Sequence, residues 1–308
     1  MPELTLELDE IFSWSDAALV AERFGDGCVF LAGDAEHLMA PAGGFGMSVG
    51  IQDAHNLAWK LAAVLHGSAG PALLAGYEAE RAPISRLMTE QMMRNAISAR
   101  AVSLASAEAS ASSSATRAPL GRPEFLREHA LVFGATYESS VIVPNGTAPV
   151  HGAKPVTDYV PNGRPGSRAP HVWLDRGGER IFTLDLFDTA FALLAGPRGR
   201  AWCEAVEAIA GELHIPLRAY VLGLGGGVVD TEGAWAHRYG VDPDGAVLVR
   251  PDGCVAWRST AAAKAAQSEL PDVLRTGVGK GALGDVGSSA PTRVQRRDDL
   301  WTSATTNV

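Results

Sequence analysis

The sequence predicts an α/β protein made of two successive units, and three observations carry that prediction. At residues 29–65 the apolar run Val29–Ala32 reads as a buried strand end and a glycine-rich loop follows. From Met47 onward, Ile51, Ala54, Leu57, Ala58, Leu61 and Val64 recur at three- and four-residue steps, the spacing of an amphipathic helix. Beyond residue 169, short apolar strand candidates alternate with helical stretches. Between the two lies a zone rich first in Ser and Ala and then in Pro, which is linker chemistry.

Taken in order, Leu4, Leu6 and Leu8 alternate with Thr5, Glu7 and Asp9, which predicts a strand over 4–13 with one buried face. Ser15-Asp16 caps an expected helix over 17–24, ended by Gly25-Asp26-Gly27. The helix that starts near Met47 runs to about Leu65, where Gly67, Gly70 and Pro71 break it. Residues 71–81 and 82–102 read as two further helices, the second apolar at Ile84, Leu87, Met88, Met92 and Ile97. The resulting boundaries are 1–100 for the first unit, 101–168 for the linker and proline-rich arm, 169–276 for the second unit, and 277–308 for an aperiodic tail read as disordered.

In the second unit the strand candidates are 171–174, 181–186, 191–195, 217–222, 246–249 and 254–258, and the helix candidates are 198–213, 234–239 and 261–275. Strand, helix, strand, short helix, a hairpin turned at Arg250-Pro-Asp-Gly253, then helix is a thioredoxin-like order. There is no Cys-x-x-Cys, so the lone Cys203 at a helix start predicts no thiol–disulfide activity. This unit is expected to fold by itself.

Composition removes several functions. The chain has 308 residues, 46 % hydrophobic and 20 % charged, which suits a globular protein of about two domains. No apolar run of about 18 residues could span a membrane, and the acidic start Met1–Glu10 lacks signal-peptide regions. A net charge of −9 with no basic patch argues against nucleic acid. Cys28, Cys203 and Cys254 are far apart and lack metal-ligand spacing, so they read as buried free thiols of a cytoplasmic protein, and no metal site is expected.

Gly33-Asp34, Pro41-x-Gly-Gly-x-Gly46 and Gly50-Ile-Gln-Asp-Ala-His-Asn-Leu-Ala-Trp-Lys-Leu61 together closely resemble the second flavin motif of FAD-dependent aromatic hydroxylases, in the branch acting on phenols and aromatic polyketides. The resemblance continues through Leu73-Leu-x-x-Tyr-Glu-x-Glu-Arg-x-Pro83 and Pro165-Gly-Ser-Arg-Ala-Pro-His-Val-Trp-Leu174, and covers most of 10–258. The strand-linked Gly-x-Gly-x-x-Gly that opens such enzymes and holds the FAD pyrophosphate is absent. The chain therefore resembles the C-terminal half of one: a partial FAD-binding domain without its N-terminal Rossmann part, followed by the thioredoxin-like domain.

The resemblance implies FAD as cofactor, NAD(P)H as co-substrate, and a flavin C4a-hydroperoxide that passes one oxygen of O2 to a phenolic or polyketide ring. By the same resemblance, Gly33 and Asp34 meet the ribityl chain, with Asp34 accepting from a hydroxyl. Pro41 lies beside the flavin ring with its carbonyl available to the reacting hydroxyl, and Gly43, Gly44, Gly46, Met47 and Ser48 bring N–H groups to the ring edge. Many relatives carry Asn where Ser48 stands. The appended domain implies a homo-oligomer, and the missing pyrophosphate motif implies an N-terminal FAD-binding polypeptide as partner. A second reading stays open: a non-catalytic truncated module that binds a partner and little or no FAD.

Other residues read more plainly. Asp53, His55 and Asn56 suit capping or packing as well as cofactor contact, Trp59 suits the core, and Glu80 and Arg81 suit a structural ion pair. His37 is a weak candidate for a general base, and Arg168 and His171 read as an anchor where the arm meets the second unit.

Overall fold

The computed structural model describes residues 17–111, 127–260 and 266–280; the strand expected at 4–13 and nearly all of the expected tail lie outside these. The first described segment forms two small antiparallel ribbons in place of the helix expected over 17–24. β1 (Leu19–Val20) pairs with β4 (His37–Leu38), and β2 (Gly25–Asp26) pairs with β3 (Val29–Phe30). The eight-residue candidate is too short to hold as an isolated helix, and ladder bonds such as Ala21 N–H to Glu36 O at 2.8 Å win instead. Cys28 sits on the turn between β2 and β3 and is exposed, not buried as expected.

Two long helices follow, α1 (Gly46–Leu65) and α2 (Ala72–Ala111). The sequence suggests a break near Pro83, but α2 runs straight on through it. The Pro83 ring faces solvent, so the carbonyl left without an N–H partner can be served by water, while Glu80 and Arg81 just before it are tied into buried ion pairs. The arm contains one short helix, α3 (His129–Phe133).

A seven-stranded mixed sheet forms the rest. Its strands are β5 (Trp173–Arg176), β6 (Glu179–Phe182), β7 (Phe191–Ala195), β8 (Leu217–Leu222), β9 (Gly227–Asp230), β10 (Ala246–Val249) and β11 (Val255–Ser259), ordered β11-β10-β7-β8-β9-β5-β6. β7, β8 and β9 run parallel, and β10 and β11 join antiparallel. The helices α4 (Arg200–Leu213), α5 (Trp235–Tyr239) and α6 (Ala266–Gly277) connect and flank them. β9 is not anticipated by sequence because Gly223–Gly227 reads as pure turn.

Phe191-Ala-Leu-Leu-Ala195 is fully buried, as a strand covered on both faces should be. Phe191, Leu193 and Ala195 pack with Trp202 and Val206 of α4 and Leu270 and Leu274 of α6. Ala192 and Leu194 pack on the other face with Leu174, Trp235 and Tyr239. The first of these cores also takes in Ala69, Leu73 and Val141, and Trp59 of α1 stands edge-on to Phe191 at 5.8 Å. The second unit thus shares its core with the first.

Candidate functional site

The residues singled out by sequence lie in succession along one turn, one loop and one helix start. Gly33–Ala35 form a single 3-10 turn. Gly33 has φ +60°, and a Cβ on Gly50 would come within 3.1 Å of the Gly33 Cα, so the turn rests directly on α1. Asp34 projects from it into solvent. Pro41 is also exposed, and its carbonyl accepts the Gly43 N–H at 3.2 Å. Gly43 and Gly44 adopt φ of +136° and +72°, which side-chain-bearing residues rarely do. Gly46 opens α1, and Met47 and Ser48 are exposed in its first turn.

Phe45, at the N-cap of α1, makes no side-chain cap. The first N–H groups of a helix have no intrahelical acceptor, and the helix dipole adds partial positive charge there. An uncapped, glycine-flanked helix start fits an electron-rich ligand edge. It also fits the ring edge of a flavin, where negative charge gathers on reduction.

Beneath this surface lies a buried polar network that sequence reasoning found only in part. His37 Nε2 meets Asp53 Oδ2 at 2.8 Å, and Arg81 Nε donates to Asp53 Oδ1 at 2.6 Å, all three side chains buried. Glu36 accepts from Tyr77 at 2.5 Å and from Ser85 at 3.0 Å, and burial pushes its carboxyl upward. Glu36, His37 and Asp53 hold ligand-type atoms within 4.8 Å of one another. Their carboxylate oxygens are already bonded, and Arg81 supplies the positive charge beside them. The group is therefore a lock between the 33–38 turn, α1 and α2.

A second cluster sits farther along α1. Lys60 donates to Glu80 and to Asn56, both at 2.7 Å. Arg250, between β10 and β11, donates to both oxygens of Glu80 at 2.6 and 2.8 Å. Burial and the Arg250 charge lower Lys60 to about 8. Burial would raise the Glu80 carboxyl, but Arg250 and Lys60 outweigh it and hold it well below its usual range. Motif residues Asp53, Asn56, Glu80 and Arg81 thus all act as internal ties. The partners Arg250, Tyr137 and Asp252 carried no sequence signal for this role.

A cleft of about 470 Å³ opens nearby, between Gln52 and His55 of α1, Phe133 and Tyr137 of the arm, and Pro251 and Cys254 of the hairpin. None of residues 33–48 lines it. Burial pushes Tyr137 up to about 12 and Cys203 up to about 11, and raises the Cys254 thiol as well. Arg168 lies over the Phe133 ring at 5.4 Å and its backbone bridges Cys254, while His171 packs edge-on to Trp173 at 4.8 Å. Both sit where the arm joins the sheet.

Residues 1–92 match the FAD binding domain family, and residues 162–281 match the family described as aromatic-ring hydroxylase, C-terminal. The chain is 43 % identical over 274 residues to aklavinone 12-hydroxylase of Streptomyces purpurascens, spanning 89 % of this chain and 48 % of that protein. Against 4-methyl-5-nitrocatechol 5-monooxygenase of a Burkholderia species it is 40 % identical, again over 89 % of this chain and 48 % of the other. Among solved structures, aklavinone-11 hydroxylase with FAD and aklavinone superposes with a TM-score of 0.71 at 39 % identity, over 86 % of this chain and 46 % of that one. The flavin-dependent monooxygenase PieE, solved with FAD and substrate, gives 0.76 at 32 % identity over 87 % and 50 %. The chain spans about half the length of the relatives it matches. Among the described residues no helix is long and apolar enough to cross a membrane.

Proposed function

We propose that this chain supplies the second half of an FAD- and NAD(P)H-dependent monooxygenase that hydroxylates a phenolic or polyketide-type aromatic ring. The observation that carries the reading is the Gly33–Ser48 segment, which exposes Asp34, Pro41, Gly44, Met47 and Ser48. It is folded as turn, glycine loop and uncapped helix start, in a chain matching both an FAD binding domain and an aromatic-ring hydroxylase C-terminal domain. Asp34 would hold a ribityl hydroxyl, and Gly43, Gly44, Gly46, Met47 and Ser48 would face the ring edge. Pro41 would stand beside the ring and orient the phenol through its carbonyl. Bound FAD supplies the activation of O2 at the expense of NAD(P)H. The protein's share is to hold the ring edge, orient the phenol and keep water away.

The outer face of α1 supports a partner polypeptide. Its buried face carries Val49 and Leu57 together with the polar Asp53, Asn56 and Lys60, while on the opposite face Met47 is 78 %, Ile51 61 % and Leu65 82 % exposed, with Ala54, Ala58 and Ala62 exposed between them. A helix that carries a second apolar stripe on its water-facing side is built to be covered there. The stripe begins at Met47 in the cofactor loop, so its cover would sit beside the flavin. A polypeptide equivalent to the part of the relatives that this chain does not span suits that place.

The same stripe favours the second reading, a non-catalytic module whose function is to bind that partner. For the other half of the chain, the order β11-β10-β7-β8 with α4, α5 and α6 supports a thioredoxin-like fold. Cys203, buried and without a Cys-x-x-Cys partner, supports a domain without redox activity. Assembly with a second copy rests on family analogy, and a cytoplasmic location on the unpaired thiols.

Flavin titration by fluorescence quenching tests the proposal. The chain alone is expected to bind FAD weakly or not at all. Mixed with the remaining half of aklavinone 12-hydroxylase as a separate polypeptide, it should give a yellow one-to-one complex. A complex that forms but stays colourless would favour the non-catalytic module.

A further inference from the structure

Asn95 lies on α2, outside the residues expected to meet the flavin, yet its side chain reaches the loop that carries them. Asn95 Nδ2 donates to the Ala42 carbonyl at 3.2 Å and to Glu128 Oε1 at 2.8 Å. Its Oδ1 accepts from Gln91 Nε2 at 3.1 Å. The acceptor-only Ala42 carbonyl and the Glu128 carboxylate fix the amide, because only its NH2 group can face them, which leaves Oδ1 to accept from Gln91. All three polar side chains are at least 97 % buried, so the bonds among them lie away from competing water, and the bond to Ala42 is partly buried.

One helical turn away, Met92 lies against the loop at its next residue. A Cβ added to Gly43 would come within 2.7 Å of Met92 Sδ and 3.0 Å of the Phe45 ring. The Ala42–Gly43 peptide is therefore gripped from below at both ends, by a hydrogen bond to its carbonyl oxygen and by a thioether beneath its glycine. With the carbonyl held down toward α2, the N–H of this trans peptide must point away from it. The orientation of the glycines that follow depends on that choice.

We infer that Asn95 is a positioning residue for the cofactor loop, acting with Glu128 and Gln91 to set the direction of the Ala42–Gly43 peptide. The link to FAD rests on the reading proposed above; the link to the loop does not. Replacing Asn95 by Asp keeps the acceptor for Gln91 but puts an acceptor against both Ala42 O and Glu128, so the loop loses its tie. Replacing Glu128 by Gln keeps an oxygen for Asn95 and leaves the tie in place.

Backbone amide relaxation by NMR on the full chain reads the loop directly. Asn95→Asp should lower the order parameters of Gly43 and Gly44 from the rigid range of about 0.85 to below about 0.6, with β7 and β10 unchanged. Glu128→Gln should match the wild type. If Asn95→Asp does not fold, Asn95→Ser, whose hydroxyl is too short to span to Ala42, carries the same expectation. Wild-type order in the loop of these variants, or an equal loss across β7 and β10, overturns the inference. In the complex with the partner half, Asn95→Asp should weaken FAD binding at least tenfold and alter the flavin absorption band shape. Unchanged affinity and spectrum beside a loosened loop would overturn the role toward the cofactor. A wild-type complex without FAD would instead sink the proposed function and leave the relaxation result to decide the positioning role.

Discussion

Glu80 of α2 and Arg250 of the β10–β11 turn meet as a two-pronged pair, Nη1 to Oε1 at 2.6 Å and Nη2 to Oε2 at 2.8 Å, with both side chains at 0 % exposure. They are 170 residues apart in sequence. Fork-to-fork geometry gives two charge-assisted bonds, and Lys60 and Ser139 take further places on the same carboxylate. Removing one partner of such a pair strands a buried charge. Arg250→Met should therefore destabilise the chain by about 3–5 kcal/mol. Glu80→Leu combined with Arg250→Met should cost less than the sum of the single changes, read by urea unfolding. Additive losses would mean the two side chains do not act as a unit.

This pair also bears on whether the second unit stands alone. A fragment of residues 169–276 lacks Leu73, Val141 and Trp59, which pack on the α4 face of the sheet, and lacks Glu80, leaving Arg250 with Asp252 alone among its carboxylate partners. It also ends before Val278, whose carbonyl takes the Gly70 N–H at 2.8 Å. Independent folding, the expectation from element order, ignores this shared core. The fragment should show no cooperative thermal transition, whereas the full chain should. A sharp melt for the fragment by circular dichroism would show the shared contacts to be dispensable.

The pH dependence follows from the same cluster. Glu80 is held below its ordinary 4.5, so the unfolded chain binds the extra proton. Its contribution is present above about pH 4.5 and is lost as pH falls toward the folded value. Glu36 is raised and acts in the opposite sense, so Glu80→Gln compared with wild type isolates the first effect: the variant should lose less stability on acidification. Lys60, lowered from 10.5 to about 8, makes the unfolded chain bind more protons above pH 8. Stability should therefore rise with pH from about 8, until the raised tyrosines and thiols reverse it. Lys60→Met should remove that rise in urea midpoints measured between pH 7 and 9.

Much of the second unit was readable because its strands are short, apolar and bounded by Gly or Pro: 191–195, 217–222 and 246–249 match the structure residue for residue. The candidate site was readable for a different reason. Gly33, Gly43 and Gly44 occupy backbone conformations that favour glycine, so the motif records the conformation of the loop. What escaped was long-range. The pairing of β1 with β4 is settled by contacts seventeen or more residues away in sequence, which local propensity does not encode. The orientation of α1 was legible only halfway: of its apolar positions Leu57, Leu61 and Val64 pack inward beside the polar Asp53, Asn56 and Lys60, whereas Ile51, Ala54 and Ala58 face outward. Periodicity locates an amphipathic face; it does not say which partner covers it.

Asp34 offers the sharpest separation of cofactor binding from folding. It sits at the middle of the Gly33–Ala35 turn, exposed, and it contributes to no core cluster. Substitutions at such surface positions usually change stability by no more than about 0.5 kcal/mol. If its carboxylate accepts from a ribityl hydroxyl, Asp34→Ala should lower FAD affinity by about 1.5–3 kcal/mol, the scale of a hydrogen bond to a charged group. The urea midpoint of the chain should stay where it was. The expected pattern in the assembled complex is thus weak flavin retention on gel filtration with an unshifted midpoint. A shifted midpoint with flavin retained would make Asp34 a structural turn residue. Flavin retained with no shift at all would remove it from the cofactor site and leave Gly43, Gly44 and the start of α1 to carry the contact.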